Sequence, residues 1–292
     1  MSRVPVRGAV SEGVRMLREA GVGSPEVDAE TLAAHVLGVE RGRLALVAMV
    51  TAEQVGEFRE LVARRAARVP LQHLTGTAAM GEIDLAVGPG VFVPRPETEL
   101  LFAWALAQLE AAGHEHRPVV VDLCTGSGAL ALAIAHARPD VEVHAVELDP
   151  VALGWARRNA DRCAADGDTP ITLHSGDVTA PRILSELDGR VDVVVANPPY
   201  VPVSAELDPE VRDHDPHLAL FGGADGLDVI RPMVATIARL LRADGVAAVE
   251  HDDSNGSQVA ELFRRAGFLG VAEHPDLAGK PRFVAARRVR AE

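Results

Sequence analysis

Cysteine, tyrosine and tryptophan are scarce here, at two, one and two among 292 residues. Two thiols, Cys124 and Cys163, cannot supply a disulfide framework, and no Cys/His cluster has zinc spacing. A reducing, cytoplasmic setting without a metal site is therefore predicted. Long apolar runs are missing too. No stretch approaches 18 uncharged apolar residues, and the N-terminus lacks the apolar core of an export signal, so neither membrane insertion nor secretion is expected. Positive charge is in deficit, with 29 Lys and Arg against 42 Asp and Glu and a formal net charge of -13. That field repels bare nucleic acid unless a local patch overrides it. The dense basic runs, Arg64-Arg65 with Arg68 and Arg287-Arg288 with Arg290, read as solvated faces or a chain end rather than a phosphate track.

What is present is the mix of a folded globular protein, with 48% hydrophobic and 24% charged residues over a length that suits one large or two modest domains. From about Val10 to Arg68 apolar residues recur three and four apart. Ser24-Pro25-Glu26 and Thr51-Ala52-Glu53 have the form of helix starts, so about four short helices are expected. Near Pro70 the texture changes to Gly and Pro punctuation, with β-like pieces at Ile83 to Val87 and Val91 to Val93 that end at Pro94-Arg95-Pro96. The predicted division is a helical domain over 1–78, a β-hairpin connector over 79–97 and a larger domain over 98–292. In the last, a helix from Glu99 to Ala111 precedes strands at Val119 to Val121, Val141 to Val146, Ile171 to His174, Val191 to Ala196, Val246 to Glu250 and Phe283 to Ala286. Helical stretches such as Ala129 to His136 separate them. The alternation predicts an α/β fold with a mostly parallel sheet covered on both faces.

Chemistry collects where predicted strands end. In VVVDLCTGSGALALAIA a strand, a glycine turn and an Ala-rich helix follow directly, and Gly126 and Gly128 let backbone pass close to a ligand. A purely structural turn is the other reading of that segment. The next strand ends in Glu147, 21 positions after Gly126, where a carboxylate accepts from both ribose hydroxyls of a nucleoside. Glu147 could instead cap the following helix, although Asp149-Pro150 already supplies a start. Neither a dinucleotide fingerprint nor a phosphate loop is present, because Ala129, Leu130 and Ala131 follow Gly128 and no Lys follows the turn.

The strand VDVVVA runs into Asn197-Pro198-Pro199-Tyr200. Consecutive prolines remove two donors and fix φ, which suits a pre-aimed acceptor. The Asn197 side-chain oxygen and the Pro198 carbonyl can grip an NH2 group by both protons. Two directed acceptors draw an amide nitrogen toward pyramidal geometry and aim its lone pair. Tyr200 is expected to lie against the planar group. Arg95 and Glu97 flank a proline in the connector, a concentration of charge that suggests a place beside the active site.

D-x-x-T-G-S-G from Asp122 to Gly128, with Thr125 and Ser127 inside it and an acid after the next strand, resembles the nucleoside and methionine site of class I methyltransferases. Asp177 and Val178, after the third strand, stand where that family contacts adenine. Over nearly its full length the chain is similar to the PrmC/HemK protein-(glutamine-N5) methyltransferases, through PLQHLTG, VFVPRPETELL, NPPYVP, LFGGADGLDVIRPM and VEHDDSNG. The resemblance implies a Rossmann-like, mostly parallel seven-stranded sheet with a small N-terminal helical domain. It also implies S-adenosyl-L-methionine as methyl donor and the GGQ glutamine of release factors as acceptor, with a monomeric enzyme that binds no nucleic acid stably. Cys124 stands where Gly is usual, Ala79-Met80-Gly81 replaces an aromatic-x-Gly, and Asp215 replaces a usual Glu. These departures keep two alternatives open: glutamine or small-molecule N-methylation of another substrate, such as a ribosomal protein, and adenine methylation of DNA.

Overall fold

The structure is a computed structural model that describes residues 3–111 and 116–289; Arg290 of the second basic run lies outside them. The chain forms two compact units, one running to Thr77 and including Leu207–His214, the other comprising Ala78–Glu206 and the chain from Asp215 onward.

The first unit contains β1 (Arg3–Pro5), α1 (Val6–Glu19), α2 (Pro25–Leu37), a 3-10 turn (Arg41–Leu46), β2 (Met49–Thr51), α3 (Ala52–Ala66) and α4 (Leu71–Thr75). Both expected helix starts are present. Pro25 opens α2, and Thr51 forms a capping box with Gln54: each side chain accepts the other's backbone N–H, at 3.2 and 3.0 Å. Leu17, Leu32 and Val62 are fully buried at the centre of this unit. Gly13 leaves room for the Phe58 ring, since a Cβ there would stand 2.7 Å from it. The short antiparallel β1–β2 pair was not expected.

Of the run Arg64-Arg65 with Arg68, Arg64 is exposed as expected, whereas Arg65 and Arg68 depart from the expected solvated face. Arg65 is buried, donating to Asp28 at 2.7 Å and to Glu210 at 2.6 Å, while Arg68 grips both carboxylate oxygens of Asp208. A guanidinium tolerates burial when carboxylates satisfy its fork, and here two do.

The second unit opens at Ala78, inside β3 (Thr77–Met80), which forms a two-stranded sheet with β4 (Ile83–Ala86). Val91 to Val93 is not a strand. It is a buried irregular segment between Pro89-Gly90 and Pro94, where the prolines withhold ladder donors. There follow α5 (Thr98–Ala111), β5 (Val119–Leu123), α6 (Ala129–Ala137), β6 (Glu142–Glu147), α7 (Pro150–Ala165), β7 (Thr172–Ser175) and β8 (Val191–Ala196). After α8 (Pro209–His214), which belongs to the first unit, come α9 (His217–Leu220), α10 (Ile230–Leu240), β9 (Leu241–Glu250), α11 (Gly256–Arg265), β10 (Leu269–Pro275) and β11 (Pro281–Arg287).

The main sheet has seven strands in the order β10-β11-β9-β8-β5-β6-β7. β5, β6, β7, β8 and β9 pair in parallel, and β10 and β11 are antiparallel additions. Alternate residues feed opposite cores. Val119, Val121 and Leu123 of β5 pack with Ile237 and Phe263 on one face, while Val120 packs with Leu101, Leu109 and Ile134 on the other. Every residue of β5 and β8 is buried, as befits strands covered by helices on both sides. The order reverses between β5 and β8, and in such sheets the crevice at the carboxyl ends beside the reversal receives ligands.

Candidate active site

β5 leaves the sheet at Leu123 and turns through Cys124 to Gly128 into α6. Cys124, Gly126 and Gly128 all have left-handed φ, at 65°, 58° and 87°, a region that a side chain makes costly. Gly128 is needed for packing as well, because a Cβ there would meet Leu132 at 3.0 Å.

Three acids converge on this turn. Asp122 is buried, and its Oδ2 accepts from Thr125 Oγ1 at 2.5 Å and from the Ala131 N–H at 3.2 Å. Its Oδ1, also buried, has no hydrogen-bond partner among the described residues. Burial raises the Asp122 pKa to about 7. Glu147, at the tip of β6, accepts the Gly126 N–H at 2.8 Å and the Asp149 N–H at 2.9 Å, and burial raises its pKa too. Asp149 does cap α7, accepting from the Val151 N–H at 3.0 Å. Asp177 accepts from the backbone and hydroxyl of Thr179, at 2.8 and 2.7 Å. Burial, followed by the charges of Glu147, Asp122 and Asp177, pushes the Cys124 thiol well above its ordinary value.

A cleft open to solvent lies over these groups. Asp122, Thr125, Gly126, Ser127, Glu147, Asp177, Val178 and Asn197 all line it. Gly128 stands behind the lining. Of the tetrapeptide, Asn197 and Pro199 reach the cleft, and Pro198 is buried. Tyr200 takes a different post from the one expected. Its ring packs on the sheet core and its hydroxyl donates to Glu250 Oε1 at 2.9 Å, which keeps a buried phenol satisfied. Burial raises the Tyr200 pKa well above normal.

Glu250, at the tip of β9, and Thr98, at the start of α5, were not singled out from sequence. Thr98 Oγ1 donates to Glu250 Oε2 at 3.1 Å and accepts from Asn197 Nδ2 at 3.2 Å. Burial raises the Glu250 pKa to about 7. Its only sequence signal is an acid that ends the apolar stretch Val246 to Val249. The glycine-rich stretch at 222–226 backs the tetrapeptide: a Cβ on Gly222 would stand 2.7 Å from the Pro199 carbonyl, and one on Gly226 would stand 2.2 Å from that of Tyr200.

Arg95 and Glu97 are half-buried and stand outside the cleft lining, whereas their neighbours Phe92, Pro94 and Thr98 are part of it. The Arg95 guanidinium pairs with the buried Asp215 and lies over the Phe92 ring, 4.9 Å from its centroid.

The description of the PrmC N-terminal domain matches residues 8–76, and that of the methyltransferase small domain matches residues 98–210. The release factor glutamine methyltransferase of Mycolicibacterium smegmatis is 54% identical over 285 residues, which cover 97% of this chain and 98% of that protein. The chain belongs to the release factor glutamine methyltransferase family. A second member, from Corynebacterium glutamicum, is 50% identical over 283 residues, covering 96% and 98% of the two chains. A methyltransferase structure from Pyrococcus furiosus shares the fold with a TM-score of 0.54 at 19% identity, covering 78% of this chain and 100% of that one. The fold is that of the class I S-adenosylmethionine-dependent methyltransferases, and membership implies use of that methyl donor.

Proposed function

We propose that this enzyme methylates the side-chain amide nitrogen, N5, of the GGQ glutamine in peptide chain release factors. The observation that carries the reading is that Asn197 and Pro199 enter the same cleft, at the same strand reversal, as Asp122, Gly126 and Glu147. A methyl donor and an amide acceptor can thus meet there.

The residues fit S-adenosyl-L-methionine. Left-handed glycine admits backbone beside a ligand, and open space faces Gly126. The unpartnered Asp122 Oδ1 suits an ammonium group, Glu147 suits the ribose hydroxyls, and Asp177 with Val178 suits adenine. Thr125 and Ser127 complete the turn around the methionine portion. When bound, the donor supplies an electrophilic methyl group on a sulfonium. Asn197 Oδ1 and the Pro198 carbonyl accept the two amide protons of the substrate and direct its lone pair. Pro198 and Pro199 hold that geometry without competing donors. The methylated nitrogen turns acidic as it gains positive charge, so no strong base is needed.

The helical unit serves as the docking surface for the protein substrate, and Arg95 and Glu97 shape the approach to the cleft. Among the described residues no helix is long and apolar enough to cross a membrane. The reading places a monomer in the cytoplasm, with no stable nucleic acid partner.

Incubation with labelled methyl donor and a release factor, a ribosomal protein or DNA, followed by mass spectrometry of the labelled residue, tests this. Label on the release factor glutamine is expected, with Asn197→Ala lowering kcat by roughly 10² to 10³. Label on DNA or on the ribosomal protein alone would overturn the substrate assignment.

A further inference from the structure

The terminal amide of Asn197 can face the cleft with either end, and only its oxygen can accept from a substrate NH2. Something must fix the choice. Asn197 Nδ2 lies 3.2 Å from Thr98 Oγ1, and Thr98 Oγ1 lies 3.1 Å from Glu250 Oε2. The second oxygen of Glu250 accepts from Tyr200 at 2.9 Å. An ionised carboxylate only accepts, so the single Thr98 hydroxyl proton is committed to Glu250. Thr98 can then only accept from Asn197, and the amide must present nitrogen to Thr98 and oxygen elsewhere.

We propose that Thr98 and Glu250 are positioning residues that hold the Asn197 amide with its oxygen toward the substrate, and that ionised Glu250 is the form that enforces this. The inference rests on the glutamine-methylating reading of the cleft. If Glu250 takes up a proton it donates to Thr98 or Tyr200. A Thr98 hydroxyl that accepts from Glu250 is released to donate to Asn197, which then turns its nitrogen to the substrate. The groups facing Glu250 are Thr98 and Glu97 at the start of α5, Tyr200 after β8 and Arg282 on β11. Burial dominates and sets its pKa near 7, with Arg282 opposing and Glu97 assisting. Competence therefore rises with pH through neutrality.

The test compares the full-length enzyme with Thr98→Val, Thr98→Ser and Glu250→Gln. A freely flipping amide costs about twofold and an ångström of misplacement about 10². Thr98→Val should thus lower kcat about tenfold with donor affinity nearly unchanged, and Thr98→Ser should restore it. Glu250→Gln should remove a near-neutral step from the pH profile of kcat, leaving any step due to Asp122. Nitrogen-15 NMR of the Asn197 side-chain NH2 reads the same orientation without turnover: its signals should shift with pH in the parent and not in Glu250→Gln. Failure of the parent to methylate a release factor would remove the substrate reading, and the NMR titration would still decide the network. Parent-like kcat in Thr98→Val, or an Asn197 signal insensitive to pH in the parent, overturns the proposal.

Discussion

Asn159 pairs with Ala86 as one strand residue pairs with another: its Oδ1 accepts the Ala86 N–H at 2.8 Å and its Nδ2 donates to the Ala86 carbonyl at 3.0 Å. The same Nδ2 donates to the Ser127 carbonyl at 2.9 Å, and the side chain is wholly buried. One amide on α7 thereby ties the end of β4 to the glycine turn of the cleft. Asn159→Leu would strip partners from the buried Ser127 carbonyl and from the half-buried N–H and carbonyl of Ala86, at about 1 to 3 kcal/mol for each left unsatisfied. A loss of at least about 3 kcal/mol in denaturant unfolding is expected, with weakened donor binding because Ser127 is freed. A loss under about 1 kcal/mol would show that water or a rearranged backbone replaces the clamp.

Legibility in the sequence followed periodicity and position. β8 is legible with its observed bounds because Val191 to Ala196 is apolar except for Asp192 and is buried on both faces. β10 was missed because Leu269 to Pro275 is largely exposed and carries no alternation to read. That Asp122, Gly126, Glu147 and Asp177 line one cleft follows from their positions at the ends of successive strands. Thr98, Asn159 and Glu250 were not legible, since each acts on a partner at least 32 residues away. Only the folded sheet brings these pairs together.

Cys124 occupies a left-handed position with φ of 65°. A side chain there costs roughly 1 to 2 kcal/mol, whereas glycine adds about 0.4 to 1 kcal/mol of chain entropy to be lost on folding. The terms nearly offset, so Cys124→Gly should fall within about 1 kcal/mol of the parent. Cys124→Val adds β-branching to the same strain and should lose about 2 kcal/mol or more. Urea midpoints in the absence of donor separate the two. Equal stability of both variants would mean that the turn relaxes to negative φ.

Stability should also respond to pH through Glu250, whose folded pKa is raised to about 7 by burial. In an unfolded chain a glutamate ionises near pH 4.3. The unfolded state therefore releases this proton first, and the stability held below about pH 4 is lost as pH rises toward 7. Glu250→Gln cannot ionise and should lack this share of the slope. Denaturant midpoints between pH 4.5 and 7.5 should fall more steeply for the parent than for the variant. Parallel curves would place the Glu250 titration at its ordinary value.

The last prediction concerns the first unit and separates burial from mere proximity of charge. Arg65 and Asp28 retain only 9% and 8% side-chain exposure, and Glu210 retains 18%, whereas the Arg68 and Asp208 side chains keep 21% and 53%. Removing one partner from a buried ion pair leaves an uncompensated charge, at about 3 to 5 kcal/mol, while an exposed pair contributes about 0 to 1 kcal/mol. Arg65→Met should therefore destabilise the helical unit several times more than Arg68→Met, despite the two-bond grip of Arg68 on Asp208. Most of the Arg65 loss is stranded charge rather than lost attraction. Replacing Asp28 and Glu210 by Leu and Gln in the Arg65→Met background should thus recover most of it. Unfolding of the three variants by denaturant, followed by circular dichroism, measures each term. If the triple replacement is no more stable than Arg65→Met, the stability resides in the hydrogen-bonded geometry of the cluster and not in the balance of buried charge.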